Sequence, residues 1–316
     1  MVEDGPTPPA NKQTRGIWFL VLLGLASLIW SAQGTAVKFL EAHHLGPISI
    51  TFIPFYVSTA LLIPLLIRQR MKDPKSARPT AKDWMSFAVA GIAGQVLAQL
   101  GMTWGAVKSP ASNVAILNLL IPVISAVLAS LMLGEKLSRL RILCLFIGLG
   151  GVMLMSVKEL KQSEFFNSSY LLGNGLILVG CFGSSFYNVY CKGLLNRFHE
   201  VEILIYSYVT ASVASLPLLL YFEPNGFELL AQIDWKGWLA FAFLAIFMYT
   251  VSMLVFFYVL EHIPVTVASA SLYLVPVFGV IIAAVFLGER MTPFAIGGAA
   301  VVLVSTVLIM RYDTAV

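Results

Sequence analysis

The chain has 316 residues, 59% of them apolar and only 11% charged, with a formal net charge of +4. A soluble globular protein carries about 25% charged residues. No water-facing surface can be built from so few, which excludes a soluble enzyme or binding module and makes the bilayer the solvent for most of the chain.

Residues 1–16 are polar and Pro-rich, as in a disordered tail. The first apolar run is long and lacks a small-residue cleavage pattern, so it is expected to remain as an uncleaved span. A membrane-crossing helix needs roughly 20 apolar residues. The sequence predicts ten, at 17–38, 47–67, 84–106, 110–133, 140–157, 171–192, 202–222, 237–260, 264–287 and 292–311. Lys and Arg concentrate in the connections on one side, above all at 68–82. The other side holds only Lys38, Lys108, Lys158, Lys161, Lys236 and Arg290. By the positive-inside rule both termini, 1–16 and 312–316, face the cytoplasm, as expected in a bacterial inner (plasma) membrane. Residues 158–170 become an extracytoplasmic linker, which contains the sequon Asn167-Ser168-Ser169.

The chain repeats itself at an offset of 154. "NLLIPVISAVLASLMLGEKL" at 118–137 faces "LYLVPVFGVIIAAVFLGERM" at 272–291. Pro110 meets Pro264, Pro122 meets Pro276, Lys38 meets Lys192, Gln95 meets Tyr249, and Leu133-Gly134-Glu135 meets Leu287-Gly288-Glu289. Between 110–135 and 264–289, 8 of 26 positions are identical. Generic apolar helices would rarely align two prolines and an LGE end in one register. Each repeat, 17–157 and 171–311, holds five spans. Five is odd, so the second copy enters the membrane from the opposite side. The predicted fold is an all-α integral membrane protein of two inverted five-helix repeats around a central cavity, a construction common among transporters.

The segments "LIWSAQGTAVKFL" (28–40), "SPASNVAILNLLIPVISAVLASLMLGEKL" (109–137), "HIPVTVASASLYLVPVFGVIIAAVFLGERM" (262–291) and "GLGGVMLM" in span 5 carry a resemblance to the ten-helix EamA-type members of the drug/metabolite transporter superfamily. The resemblance runs over nearly all of 17–311. It implies two inverted five-helix repeats and transport, often export, of small metabolites such as amino acids. The chain departs from the family pattern at Trp30-Ser31, at Pro54 and at Leu274-Val275-Pro276-Val277. Two charges kept in or near the membrane by relatives are thereby missing.

No span interior carries Asp, Glu, Lys or Arg. Proton-coupled carriers keep an ionisable group at depth, so the sequence points to facilitated diffusion or exchange of a neutral or zwitterionic solute. The candidate substrate-binding residues are the mid-span polar and aromatic side chains: Trp30, Gln33, Gln95, Gln99, Asn113, Asn118, Tyr187, Asn188, Tyr249, Ser252, Ser269 and Tyr273. For the amides and serines the alternative to cavity lining is a hydrogen-bonded tie between helices; for the aromatics it is a lipid-facing or interfacial position. Pro122 and Pro276 remove a helical hydrogen bond near mid-membrane and are candidate hinges, or else packing kinks. Lys38, Lys192, Glu135 and Glu289 sit at span ends and are candidate gates, or else interface and turn residues. Trp18, Trp84, Trp235 and Trp238 fit an interfacial belt. Gly148, Gly150, Gly151, Gly297 and Gly298 in spans 5 and 10 allow close packing within the chain or against a second copy in a homodimer.

Other classes fare worse. The sequence has no GxSxG, HExxH or CxxC motif and no Asp pair, so nothing points to an enzyme. Four His and three Cys are too few and too scattered for a metal site. Cys144, Cys181 and Cys191 fall within apolar runs and read as small buried hydrophobes rather than disulfide partners. No cofactor and no nucleic-acid partner is expected; the partners are the lipid bilayer and a small-molecule substrate. Rival substrates within the superfamily are phosphorylated sugars, nucleotide sugars and organic cations. The anions would call for deep Lys or Arg.

Overall fold

The computed structural model describes residues 12–72, 78–162, 166–287 and 292–313, and among them every regular element is helical. Eight helices are long and apolar enough to cross a membrane: α1 (Gly16–Glu41), α2 (Pro47–Lys72), α3 (Ala81–Val107) and α4 (Ser112–Leu133); then α7 (Glu200–Phe222), α8 (Trp235–His262), α9 (Val265–Ile282) and α10 (Pro293–Arg311). Two more stand at the remaining predicted places. One is α5 (Arg139–Met155), only 17 residues long. The other is α6 (Leu171–Leu194), 24 residues whose apolar run is diluted by Gly, Ser and Asn.

The offset of 154 is written into local geometry. A π-helical stretch interrupts α3 at Val89–Val96 and α8 at Phe243–Val251, beginning at repeat-equivalent residues. Such bulges release backbone carbonyls and cluster at functional sites. Here Thr250 Oγ1 donates to Ala245 O at 2.8 Å, five residues back, and Tyr208 OH donates to Tyr249 O at 3.0 Å. α4 breaks at Leu119-Leu120, and α9 tightens into a 3₁₀ turn at Ser271–Tyr273. Both breaks precede the mid-span prolines. Pro122 therefore sits in the first turn of a new helical segment, where its missing N–H costs nothing. The carbonyls loosened there are met by donors from across the molecule. Ser27 Oγ donates to Ser271 O at 3.0 Å, and its repeat mate Cys181 Sγ reaches Leu117 O at 3.5 Å.

Tertiary packing follows the same symmetry. α1 lies against α8 and α9, and α6 against α3 and α4; α2 packs on α8, and α7 on α3. Two groups result, α1-α2-α8-α9 and α6-α7-α3-α4. They meet along α2–α7 and α4–α9, with the α5–α10 pair beside them. Glycine makes the closest approaches. A Cβ on Gly101 would stand 2.6 Å from Gly180 N, and one on Gly183 2.7 Å from Ala98 N. In α5 and α10, Gly148 faces Tyr273 and Gly151 faces Gly298 and Val302. Those three glycines are spent on packing within the chain, while Gly150 faces open space.

Helix ends are closed by carboxylates from other helices. Glu223, just past α7, accepts from Ile48 N (2.9 Å) and Ser49 N (2.7 Å) at the start of α2. Glu135, just past α4, accepts from Val265 N (2.6 Å), Thr266 N (3.2 Å) and Thr266 Oγ1 (2.9 Å) at the start of α9. A carboxylate there satisfies orphan N–H groups and opposes the positive end of the helix dipole.

Candidate functional site

Between the two groups lies a cavity of about 750 Å³. Its inner wall is set by the π segments, which carry Gln95 and Tyr249. α1 contributes Trp30, Gln33 and Gly34; α6 contributes Tyr187 and Asn188; Gln99 and Asn118 come from α3 and α4. The cavity also extends past Val37, Glu41, Pro47, Ala106 and Val107. These residues belong to the end of the bundle that holds the 42–46 and 108–110 connections, and they give the cavity its mouth.

The aromatic side chains are held in place by bonds made behind the cavity surface. Trp30 Nε1 donates to Ser252 Oγ at 2.8 Å, and its ring lies edge-on to Phe256, 5.4 Å between centroids. Tyr187 OH and Ser207 Oγ lie 3.0 Å apart. Tyr208 stacks obliquely on Phe55 at 4.1 Å, and Phe55 in turn meets Tyr249 edge-on at 5.4 Å. The phenol and indole polar atoms of Trp30, Tyr187 and Tyr208 are thus committed to protein; Tyr187 and Tyr208 are buried in the wall, and Trp30 is only partly buried. The amides of Gln33, Gln99 and Asn188 make no side-chain hydrogen bond to another described residue and line the space.

Nine of the candidate residues therefore share one cavity: Trp30, Gln33, Gln95, Gln99, Asn118, Tyr187, Asn188, Tyr249 and Pro276. The others lie elsewhere. Ser252 sits behind Trp30 as its acceptor. Asn113 donates to Asn174 Oδ1 at 3.0 Å, tying α4 to α6 near their outer ends. Tyr273 packs against Gly148 of α5; Ser269 is fully buried, and neither hydroxyl has a hydrogen-bond partner among the described residues. Pro122 is buried outside the lining. Among the lining residues outside the sequence candidates are Tyr208, Thr51, Thr103 and Glu41. Thr51 and Thr103 hydroxyls lie 3.1 Å apart, across α2 and α3.

Glu41 is the only Asp, Glu, Lys, Arg or His among the lining residues, and it stands at the mouth. Among the described residues no cluster of three His, Cys, Asp or Glu could hold a metal, and the three cysteines are buried free thiols.

At the end opposite the mouth the two groups are bound together. Lys192 Nζ donates to Leu260 O (2.6 Å) and Glu261 O (2.9 Å) at the end of α8. Glu135 joins α4 to α9 at the same end. Lys38 is exposed and has no hydrogen-bond or ion-pair partner among the described residues. Glu289, the repeat mate of Glu135, lies outside the described residues.

Comparison with known proteins agrees with this architecture. The model of the EamA-like transporter family matches the chain twice, at residues 17–157 and 171–311. A probable terminal-alkyne amino-acid exporter of Streptantibioticus cattleyicolor is 26% identical over 304 residues, covering 95% of both chains. The riboflavin transporter ImpX of Fusobacterium nucleatum is 23% identical, over 93% of this chain and 97% of its own. A crystal structure of a protein only 16% identical shares the fold, with a TM-score of 0.76 over 92% of this chain and 96% of that one. Two matches of one family model, which together cover most of the chain, place this protein in the EamA-like transporter family.

Proposed function

We propose that this metabolite transporter carries a small neutral or zwitterionic, amino-acid-like solute by alternating access, exporting it by facilitated diffusion or exchange. The observation that carries the proposal is the lining: aromatic faces and unpaired amides around a chamber whose only ionisable group besides tyrosine is Glu41, at the mouth. Trp30, Tyr187 and Tyr249 supply apolar contact, and Gln33, Gln95, Gln99, Asn118 and Asn188 supply donors and acceptors to a polar solute. With the N-terminus in the cytoplasm, the mouth is extracytoplasmic and the conformation is outward-facing. The amino-acid exporter among the relatives supports the solute class.

An organic cation is the second reading, favoured by Glu41 above a chamber of aromatic faces. Phosphorylated sugars and nucleotide sugars have no Lys or Arg in the lining to receive them. Counterflow in proteoliposomes, across amino acids, nucleosides and small amines, with and without a pH gradient, tests these readings. Saturable exchange of a neutral or zwitterionic solute without the gradient is expected. Strict dependence on the gradient would overturn the uncoupled mechanism.

A further inference from the structure

The two repeats match in sequence but differ in geometry at one pair of ends. Lys192 of α6 reaches across from one helix group to the other and grips the last carbonyls of α8, Leu260 O and Glu261 O. Those carbonyls are orphans of a helix C-terminus, where a cation is favoured by both hydrogen bonding and the dipole. The repeat mate of Lys192 is Lys38, and the mates of Leu260 and Glu261 are Ala106 and Val107. Lys38 lies one turn from Gly34 and from Glu41, both lining residues, so it shares their face of α1. Ala106 and Val107 stand on the mouth at the end of α3. The grip made at the closed end is therefore absent at the open end, although its parts are present.

A second asymmetry lies on the same two helices. Ser185 Oγ of α6 donates to Ile121 O of α4, its neighbour in the same group, at 3.1 Å. Its mate Ser31 instead turns back to Leu28 O of its own helix at 2.7 Å, next to the interruption of α1 at Ala32. α6 is continuous at the equivalent place. α6 is thus tied to α4 within its own group at this level, and α1 makes no matching bond to α9.

In an inverted repeat, the opposite state follows by giving each half the conformation now held by the other. We infer that Lys38 and Lys192 are alternating latches: when the cavity opens to the other side, Lys192 leaves α8 and Lys38 Nζ binds the carbonyls of Ala106 and Val107, closing the present mouth. This rests on the alternating-access reading and adds the atoms that close each gate. Each lysine stabilises one state only, so it sets the balance between states rather than contacting the solute.

Removing one latch should shift that balance about tenfold, the value of a charge-assisted bond to carbonyl, and the two lysines should shift it in opposite directions. Spin labels at Thr35 and Val107 report the mouth, and labels at Asn196 and Glu261 report the opposite end. Pulsed distance measurements in the full chain should show Lys192→Met favouring the mouth-closed state and Lys38→Met depleting it, with Lys38→Arg close to the parent. Wild-type counterflow is measured in parallel. Equal or same-direction shifts in the two variants, with counterflow intact, would overturn the latch and leave the carrier standing. One unchanging distance together with no counterflow of any solute would sink the carrier reading and the latch with it.

Discussion

Trp30 on α1 and Ser252 on α8 are joined by a 2.8 Å hydrogen bond directly behind the cavity wall. The bond fixes the indole so that its face, rather than its N–H, is left for the solute. Ser252→Ala should keep the fold, costing about 1 kcal/mol, and free the ring to rotate. A several-fold rise in KM for counterflow with a smaller change in the maximal rate is expected. An unchanged KM would mean that Trp30 does not meet the solute.

Glu135 holds three donors at the start of α9. Glu135→Ala should lower thermal stability by about 2 kcal/mol, as expected for lost charge-assisted capping bonds. Glu135→Gln, which keeps the acceptor oxygen and loses the charge, should cost less. Thermal unfolding in detergent measures both, and identical melting of all three proteins would contradict the capping role.

Gly101 and Gly180 let α3 and α6 touch at backbone distance. Gly101→Ala places a methyl 2.6 Å from Gly180 N, and a shift of one helix should cost about 1–3 kcal/mol. Gly24→Ala is the control, because its Cβ meets nothing within 4 Å. Monodisperse yield should fall for the first and hold for the second.

Asp234 precedes α8. The N–H of Gly237, 2.7 Å away, holds its carboxyl below the ordinary carboxylate range, with a lesser contribution from His43 at 3.1 Å. A depressed folded-state pKa contributes stability above the unfolded value and loses it as pH falls through the folded one. Asp234→Asn should therefore remove a stabilisation present at neutral pH. The parent and variant melting curves should converge as the pH drops below about 4. Curves that stay parallel down to pH 3 would refute the assignment.

The duplication and its inversion were legible in the sequence because identical side chains survive at one offset: Lys38 with Lys192, Pro122 with Pro276, the LGE ends. The amides of the cavity were legible too, since Gln33, Gln95, Gln99, Asn118 and Asn188 are costly in hydrocarbon and must point inward. Tyr208 was not, because what gives it a place is the Tyr249 carbonyl, released by a π turn that no residue type announces. An unbroken α-helix would put Ser269 and Tyr273, four residues apart, on one face of α9. The 3₁₀ turn at Ser271–Tyr273 breaks that spacing, and Tyr273 turns towards α5.

The interleaving of the repeats reaches beyond transport. α1 has its berth between α8 and α9, and α6 has its berth beside α3 and α4. Each half lends its first helix to the other and receives one back, as in a domain-swapped dimer whose two chains have been fused. A half on its own would expose the glycine grooves and uncapped helix starts that the other half now covers. The repeat is thus a unit of sequence, and only the fused pair is a unit of folding.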